Sequence, residues 1–565
     1  MHIEDGQRLN FSHTLFDPED SFEGGDFASC LNARGMYESR RFALRLNPKI
    51  HALVDAVVEK SAKGEINFSS EEIQAYSTYI HETIHWWQHK GATSGFVRSM
   101  LPPLQTHVNL KDLRSIIASV GPKKSIQTLG IQGELGQLPA GSPVGPLANA
   151  ITNNFMDTEF FLALTLNPAK YDQQIYANKY FESAGHSFLI TFDHLLGFLR
   201  TIFDEQGLAI PDPEPIERNL QALKARKATG YYRGSPISRA PVGLHQLYEG
   251  QARFNQLLFV AFAGNTINFT EARADGLLDG IYGEAFQAFL NITRSSEPTS
   301  VTDPLVALFL LVCDLSINPT AGFPLPIDDY DNFFLDADPG IRFAVLCRTI
   351  AEELPELRTA IVEYSAEEYW AVVEQLCTVS GLDSYLNALK TIVSWKSTQP
   401  KIAQLLDEHR EFVFTNDSIV PRVVFSEFLQ FSEDKLSRPD FFCWAGYWLT
   451  HAAGTDERDL WLYHLSLFSD KQHDGRIFAR MARSHDEPVV MEVFNQFFAA
   501  IVFYDLTRQW VLQNGPFLPD YPWLVLPSQE AEFHKRISDV FERHCGARLE
   551  VFSVLPPPTI PTSRI

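Results

Sequence analysis

The stretch Arg41-Phe42-Ala43-Leu44-Arg45-Leu46 alternates polar and apolar residues and stops at Asn47-Pro48, the period-two pattern of a half-buried strand. A small sheet is therefore predicted to open the chain within residues 1–50, where Gly24-Gly25 supply a turn. From Ser69 the period changes to that of a helix. Ser69 and Glu72 form a capping box, the apolar positions recur at helical spacing as far as Lys90, and Gly91 reads as the stop. Further helices are predicted near residues 149–165, 180–204 and 244–262. Residues 121–148 are rich in Gly and Pro, which predicts a long irregular loop lining a cleft. Between Pro211 and Pro241 lie Lys224, Arg226, Lys227, Arg233 and Arg239, either a solvated loop balancing nearby acids or a docking or processing site. Ser295 to Ser300 reads as a linker, and residues 304–565 carry several helical patterns with Trp370, Trp395, Trp444, Trp448, Trp461 and Trp510. No internal repeat is present, and the residues from Pro556 onward read as a short extended tail. The pattern predicts a mainly α (α+β) protein: a strand-containing segment over 1–65, a helical domain over 66–294, and a second helical domain over 304–565.

Composition narrows the class. With 45% hydrophobic and 21% charged residues, the 565-residue chain has ordinary globular usage. A net charge of -23 disfavours binding to phosphate backbones and to anionic membrane surfaces. The longest unbroken apolar run, Leu305 to Cys313, is half the length of a membrane-spanning helix, so no transmembrane segment is expected. The first residues show no basic region leading into an apolar stretch, which makes the cytoplasm the expected location. Cys30, Cys313, Cys347, Cys377, Cys443 and Cys545 are scattered without metal-site or redox spacing and read as reduced thiols. Any metal must then find its ligands among His, Asp and Glu.

The predicted helix over 69–90 contains His81-Glu82-Thr83-Ile84-His85. Histidines at i and i+4 lie on one helical face about 6 Å apart along the axis, able to grip one ion, and neutral imidazoles suit zinc. Glu82, offset by one residue, can approach a water held by the metal without ligating, which is the placement a general base needs. His89 continues the spacing, but about 12 Å of helix rise separates it from His81, too far for one ion, so it is assigned to the rim, to support of a ligand or to the surface. The extended motif with a Gly three and a His six residues beyond the second ligand is broken by Gln88 and Gly91, which excludes the metzincin class.

The third ligand is sought in Leu247-Tyr248-Glu249-Gly250-Gln251-Ala252-Arg253, on the helix predicted from Leu244. Gly250 and Ala252 suit a close helix approach, expected to be to the zinc helix, and Glu249 would complete a two-His, one-Glu site with its fourth position open. The alternative for Glu249 is a solvated i, i+4 ion pair with Arg253. Rival ligands are Glu159, Glu182 and His186. For stabilising an oxyanion, the candidates are Tyr231, Tyr232, His186 and His245, and His245 can instead orient Glu249 from one turn away.

On HETIH and, more loosely, YEGQA, the chain resembles the gluzincins, the thermolysin-like superfamily of zinc metallopeptidases, across residues 66 to 262 in broad layout. The 164 positions from His85 to Glu249 exceed the spacing of compact members. The resemblance implies a zincin-like helical catalytic domain, Zn2+ held by His81, His85 and Glu249, and Glu82 as base. The expected function is hydrolysis of peptide bonds in a specific intracellular protein target, with residues 304–565 as a regulatory or partner-binding domain. Two alternatives stay open. One is a catalytically inactive metallopeptidase-like scaffold or interaction protein; the other is a zinc hydrolase of non-peptide amides.

Overall fold

The computed structural model describes residues 2–3, 34–236, 239–264, 267–415, 417–450, 454–481 and 485–557. The predicted Gly24-Gly25 turn, Cys30 and the tail from Pro558 onward lie outside them. The protein is mainly helical. Its largest sheet has four short strands: β1 (Gly35–Glu38) pairs antiparallel with β2 (Ala43–Leu46), β2 runs parallel to β3 (Phe468–Lys471), and β3 turns back into β4 (Asp474–Ala479). The predicted strand over 41–46 is thus β2. Its sheet is completed by residues more than four hundred positions later, a long-range pairing that no local pattern encodes.

The helix Ser70–Gly91, hereafter the motif helix, is the hub of the fold. It is capped as its sequence dictates: Ser69 N donates to Glu72 Oε2 at 2.8 Å and Glu72 N to Ser69 Oγ at 3.3 Å. Lys60, from the helix Pro48–Ala62, adds an ion pair to Glu72 at 2.7 Å. Every residue from Glu72 to Gly91 is buried. The helices Pro48–Ala62, Thr93–Val120, Leu244–Phe262 and Ile419–Ser437 surround it, with β1 and β2 on the remaining side. Gly91 is the last helical residue with an ordinary φ, and a Cβ there would run into the Phe431 ring. Its glycine therefore serves a close helix crossing and not a left-handed cap.

Other expectations are revised by the same packing. Residues 121–148 are not an irregular loop. Lys123–Lys124 pairs with Ser553–Val554, Ser125 caps a helix Ile126–Glu134, and Gly133 meets Gly145 of the next helix, Val144–Leu166, where a Cβ would not fit. The glycines that suggested a loop allow two helices to touch, away from the candidate site. Gly250 likewise faces Ala285 and Phe309, not the motif helix. One apolar core gathers residues from Phe42 to Phe498, so residues on both sides of 295–303 share it. The segment itself carries a bridge from Ser300 to Asn268. One helix, Glu487–Leu512, is long and apolar enough to cross a membrane by length and composition. Glu492, Asp505 and Arg508 break up its apolar runs, and it packs against Thr93–Val120, Val144–Leu166 and Ile419–Ser437.

The far end of the motif helix is anchored by charge. Lys90 Nζ donates to Glu427 Oε2 at 3.0 Å and contacts His464 Nδ1 at 2.8 Å, while His464 Nε2 meets Asp434 Oδ2 at 2.8 Å. Lys90 and Glu427 are each 1% exposed, so removing one partner strands a charge in a medium that solvates it poorly. Lys90→Met should lower unfolding free energy by about 3–5 kcal/mol. A urea midpoint shifted by the equivalent of less than about 1 kcal/mol would show that the network re-pairs without Lys90.

Candidate metal centre

The motif helix and the helix Leu244–Phe262 cross so that His81, His85 and Glu249 converge. Glu249 Oε2 lies 3.3 Å from His81 Nε2 and 3.4 Å from His85 Nε2, and the two Nε2 atoms are 3.1 Å apart. Ligands of a tetrahedral zinc at bonds of about 2.0–2.1 Å stand about 3.3 Å from one another. The donor triangle therefore has the size of one face of a zinc tetrahedron, and the residues fit the metal. Glu249 makes these contacts, while Arg253, its partner in the alternative of a solvated ion pair, is buried and donates to Gln256 Oε1 at 2.5 Å.

The ring of His85 is set by a chain of amides. Gln88 Nε2 donates to the Tyr248 carbonyl at 3.0 Å and to Gln251 Oε1 at 2.8 Å, which turns Gln88 Oε1 toward His85 Nδ1 at 2.7 Å. Nδ1 then donates to Gln88, and Nε2 is the nitrogen turned toward Glu249, available to a second proton or to a metal ion. His81 Nδ1 is buried without a hydrogen-bond partner among the described residues.

Electrostatics point the same way. Burial pushes Glu249 upward, yet the two imidazoles outweigh it and hold the carboxylate far below its usual range. Burial lowers His81 to about 4, whereas for His85 the Glu249 carboxylate overrides burial and raises it to about 9. The three groups together call for a positive charge among them, which a proton or a metal ion can supply. Glu82, buried beside them, is pushed up to about 7 by desolvation, opposed by His85 and by a hydrogen bond from the Tyr37 backbone.

These groups line a cavity of about 380 Å³ together with Gly35, Met36, Tyr37, His89, Arg98, His245, Tyr248 and Tyr282. Among the described residues β1 pairs with no strand other than β2, and the backbone of Tyr37 at this side of the cavity hydrogen-bonds Glu82. A Cβ on Gly35 would stand 2.6 Å from Glu82 Cγ, so only glycine lets the strand pass this close to the carboxylate. His89 is not at the surface: it is buried between Tyr37 and Tyr248, with ring centroids 5.1 and 5.6 Å away.

The remaining expectations divide by distance from the cavity. His245 lines its mouth and is exposed. Tyr231 and Tyr232 do not line it; Tyr231 is fully buried and donates to the Tyr330 carbonyl at 2.7 Å. His186 sits 3.4 Å from Asp157, Glu159 is paired with Arg508 at 2.7 Å, and neither these nor Glu182 reach the site. Tyr282, absent from the sequence reading, stands edge-on to His81 at 5.9 Å under the Arg253 guanidinium, 4.0 Å from its ring centroid. Nothing in spacing ties Tyr282 to the motif; only the packing of the helix Ile281–Thr293 on Leu244–Phe262 brings it there.

The chain matches no protein-family model, no curated protein and no solved structure. The site is therefore read from its own geometry.

Two predictions follow from Glu82 and its neighbour. A carboxyl whose folded pKa is raised costs stability once it must ionise: the cost is nil below the unfolded value of 4.5, grows between 4.5 and about 7, and is constant above. Metal-free Glu82→Gln should therefore be more stable than wild type at pH 8, by roughly 1–3 kcal/mol, and equal to it at pH 4. Equal stabilities at both pH values, from urea titrations, would contradict the burial of an ionisable Glu82. Gly35→Ala should displace the Glu82 carboxylate while metal content, read by elemental analysis, stays at the wild-type level.

Proposed function

We propose that the protein is a zinc-dependent hydrolase of the gluzincin type that cleaves peptide bonds in an intracellular protein or peptide. The observation that carries this reading is the His81, His85, Glu249 triangle of zinc dimensions, with the buried carboxylate of Glu82 in the same cavity. A β1 edge that pairs with no other strand among the described residues favours a peptide over a small amide, because an extended chain can add to it as a further strand through main-chain hydrogen bonds.

A zinc ion on the triangle supplies a Lewis acid and brings the pKa of water toward neutrality. His81, His85 and Glu249 bind it, with Gln88 holding the His85 ring. Glu82 takes the proton of the attacking water and passes it to the leaving nitrogen, a role suited to a carboxyl whose environment lifts it to about 7. Tyr282 is the cavity's phenol nearest His81 and fits the part of donor to the developing oxyanion. Arg253, packed on its ring, positions it and favours its negative end. His245 at the mouth contacts solvent and can orient substrate.

Elemental analysis of the purified protein tests the reading. About one zinc per chain is expected in wild type and in Glu82→Gln, and none in His85→Ala or Glu249→Ala. Glu82→Gln should retain the metal yet lose at least about 100-fold in peptide hydrolysis. A zinc-free wild type after supplementation, or full hydrolysis by Glu82→Gln, would overturn it.

A further inference from the structure

One corner of the cavity holds donors without acceptors. The hydroxyls of Tyr37 and Tyr248 and Nε of Arg98 are all shielded from solvent and find no acceptor among the described residues; the Tyr248 oxygen is itself approached by the Arg98 guanidinium. They are neighbours: His89 packs between the two phenols, and the Arg98 guanidinium lies 5.7 Å from the Tyr248 ring centroid. Tyr248 is only 5% exposed and borders the cavity. A buried donor left unpaired costs on the order of 1–3 kcal/mol, so three in one wall ask for an explanation in terms of what the wall meets.

The local charge says what that is. Arg98 makes no ion pair among the described residues, and Lys170 and His245 border the same side of the cavity. Of the carboxylates lining the cavity, Glu249 is held by His81 and His85 and Glu82 accepts from the Tyr37 backbone. Two phenol O–H groups and a guanidinium Nε–H with neither acceptor nor counter-charge among the described residues match a carboxylate, which accepts up to four hydrogen bonds and donates none when ionised.

We propose that Tyr37, Tyr248 and Arg98 form a subsite for a substrate carboxylate, either an acidic side chain or a free C-terminus. The inference rests on the hydrolase reading above and names its substrate class. Distance sets the position. His89 follows His85 by four residues, about 6 Å of helix rise, and an extended peptide advances about 3.3 Å per residue. The carboxylate therefore belongs one or two residues from the scissile bond. Its selectivity follows from the unpaired donors: an amide in place of the carboxylate presents N–H groups to a guanidinium and leaves that charge without a partner.

The test separates binding from turnover. A randomised decapeptide library, half with free and half with amidated C-termini, is equilibrated with zinc-loaded, immobilised Glu82→Gln protein, and retained peptides are sequenced by mass spectrometry. Enrichment of roughly tenfold or more is expected for Asp and Glu over Asn and Gln at one position if the side chain is read, or for free over amidated termini if the C-terminus is read. Placing Tyr248→Phe, which removes a single hydroxyl, or Arg98→Met in the Glu82→Gln background should abolish the enrichment while neutral peptides are retained as before. Retained peptides without any carboxylate preference, or no retained peptide at all, would overturn the subsite. Cleavage of the same library by wild-type protein is scored separately. Carboxylate enrichment without cleavage sinks the hydrolase reading alone, and cleavage without carboxylate preference sinks the subsite alone.

Discussion

The full burial of the motif helix is the constraint on which the rest of the structure depends. Twenty consecutive residues, Glu72 to Gly91, are closed off from solvent although they include His81, Glu82, His85, Gln88, His89 and Lys90. A helix satisfies its own backbone in such a setting, but each polar side chain has to find a partner or carry a desolvation cost. Those partners come from across the chain: Gln256 donates to Ser77, Trp87 donates to the His464 carbonyl, Gln88 reaches Gln251, and Lys90 reaches Glu427. Residues 244–262 and 419–464 are thereby held around one helix. His81, His85 and Glu249, whose Nε2 and Oε2 atoms turn toward one another, are the groups gathered as possible ligands.

The same burial explains the amides behind His85. A metal ligand on a helix is free to rotate about two side-chain bonds, and a donor triangle with edges of 3.1 to 3.4 Å requires that freedom to be removed. Gln88 does this from one turn below, itself held by a backbone carbonyl and by Gln251 on the helix that carries Glu249. The helix that brings the third donor thus also fixes the orientation of the second, so the crossing of two helices sets both position and tautomer.

What could be read from sequence was what is local. The capping box at Ser69, the i, i+4 histidines and the strand over 41–46 depend on neighbours within a few residues, and each lies where its pattern placed it. Glu249 was legible at one remove, since YEGQAR sits on a helix whose start and end the pattern marks. Gly91 and Gly133 were misread because glycine carries two meanings, a permissive φ and the absence of a Cβ, and only the folded contacts distinguish them; Gly250 was rightly given to a close approach, but to the wrong partner. Tyr282, Tyr37 and Arg98 were invisible for another reason. An aromatic or a cation in a periodic segment looks like core or solvated face until a second element shows it opposite the histidines.

The net charge illustrates how a global quantity can mislead about a local one. A charge of -23 spread over a surface of 23509 Å² sets the long-range field, yet in physiological salt that field decays over about 8 Å. Inside a cavity of about 380 Å³ the groups within a few ångströms decide, and there Arg98, Lys170 and His245 share the lining with Glu82 and with Glu249, which is already engaged by histidines. Low local polarisability strengthens each of those short-range interactions relative to the screened exterior. An acidic protein can therefore offer a carboxylate-seeking pocket: the exterior slows the approach of an anion, and the unpaired donors within determine whether it stays.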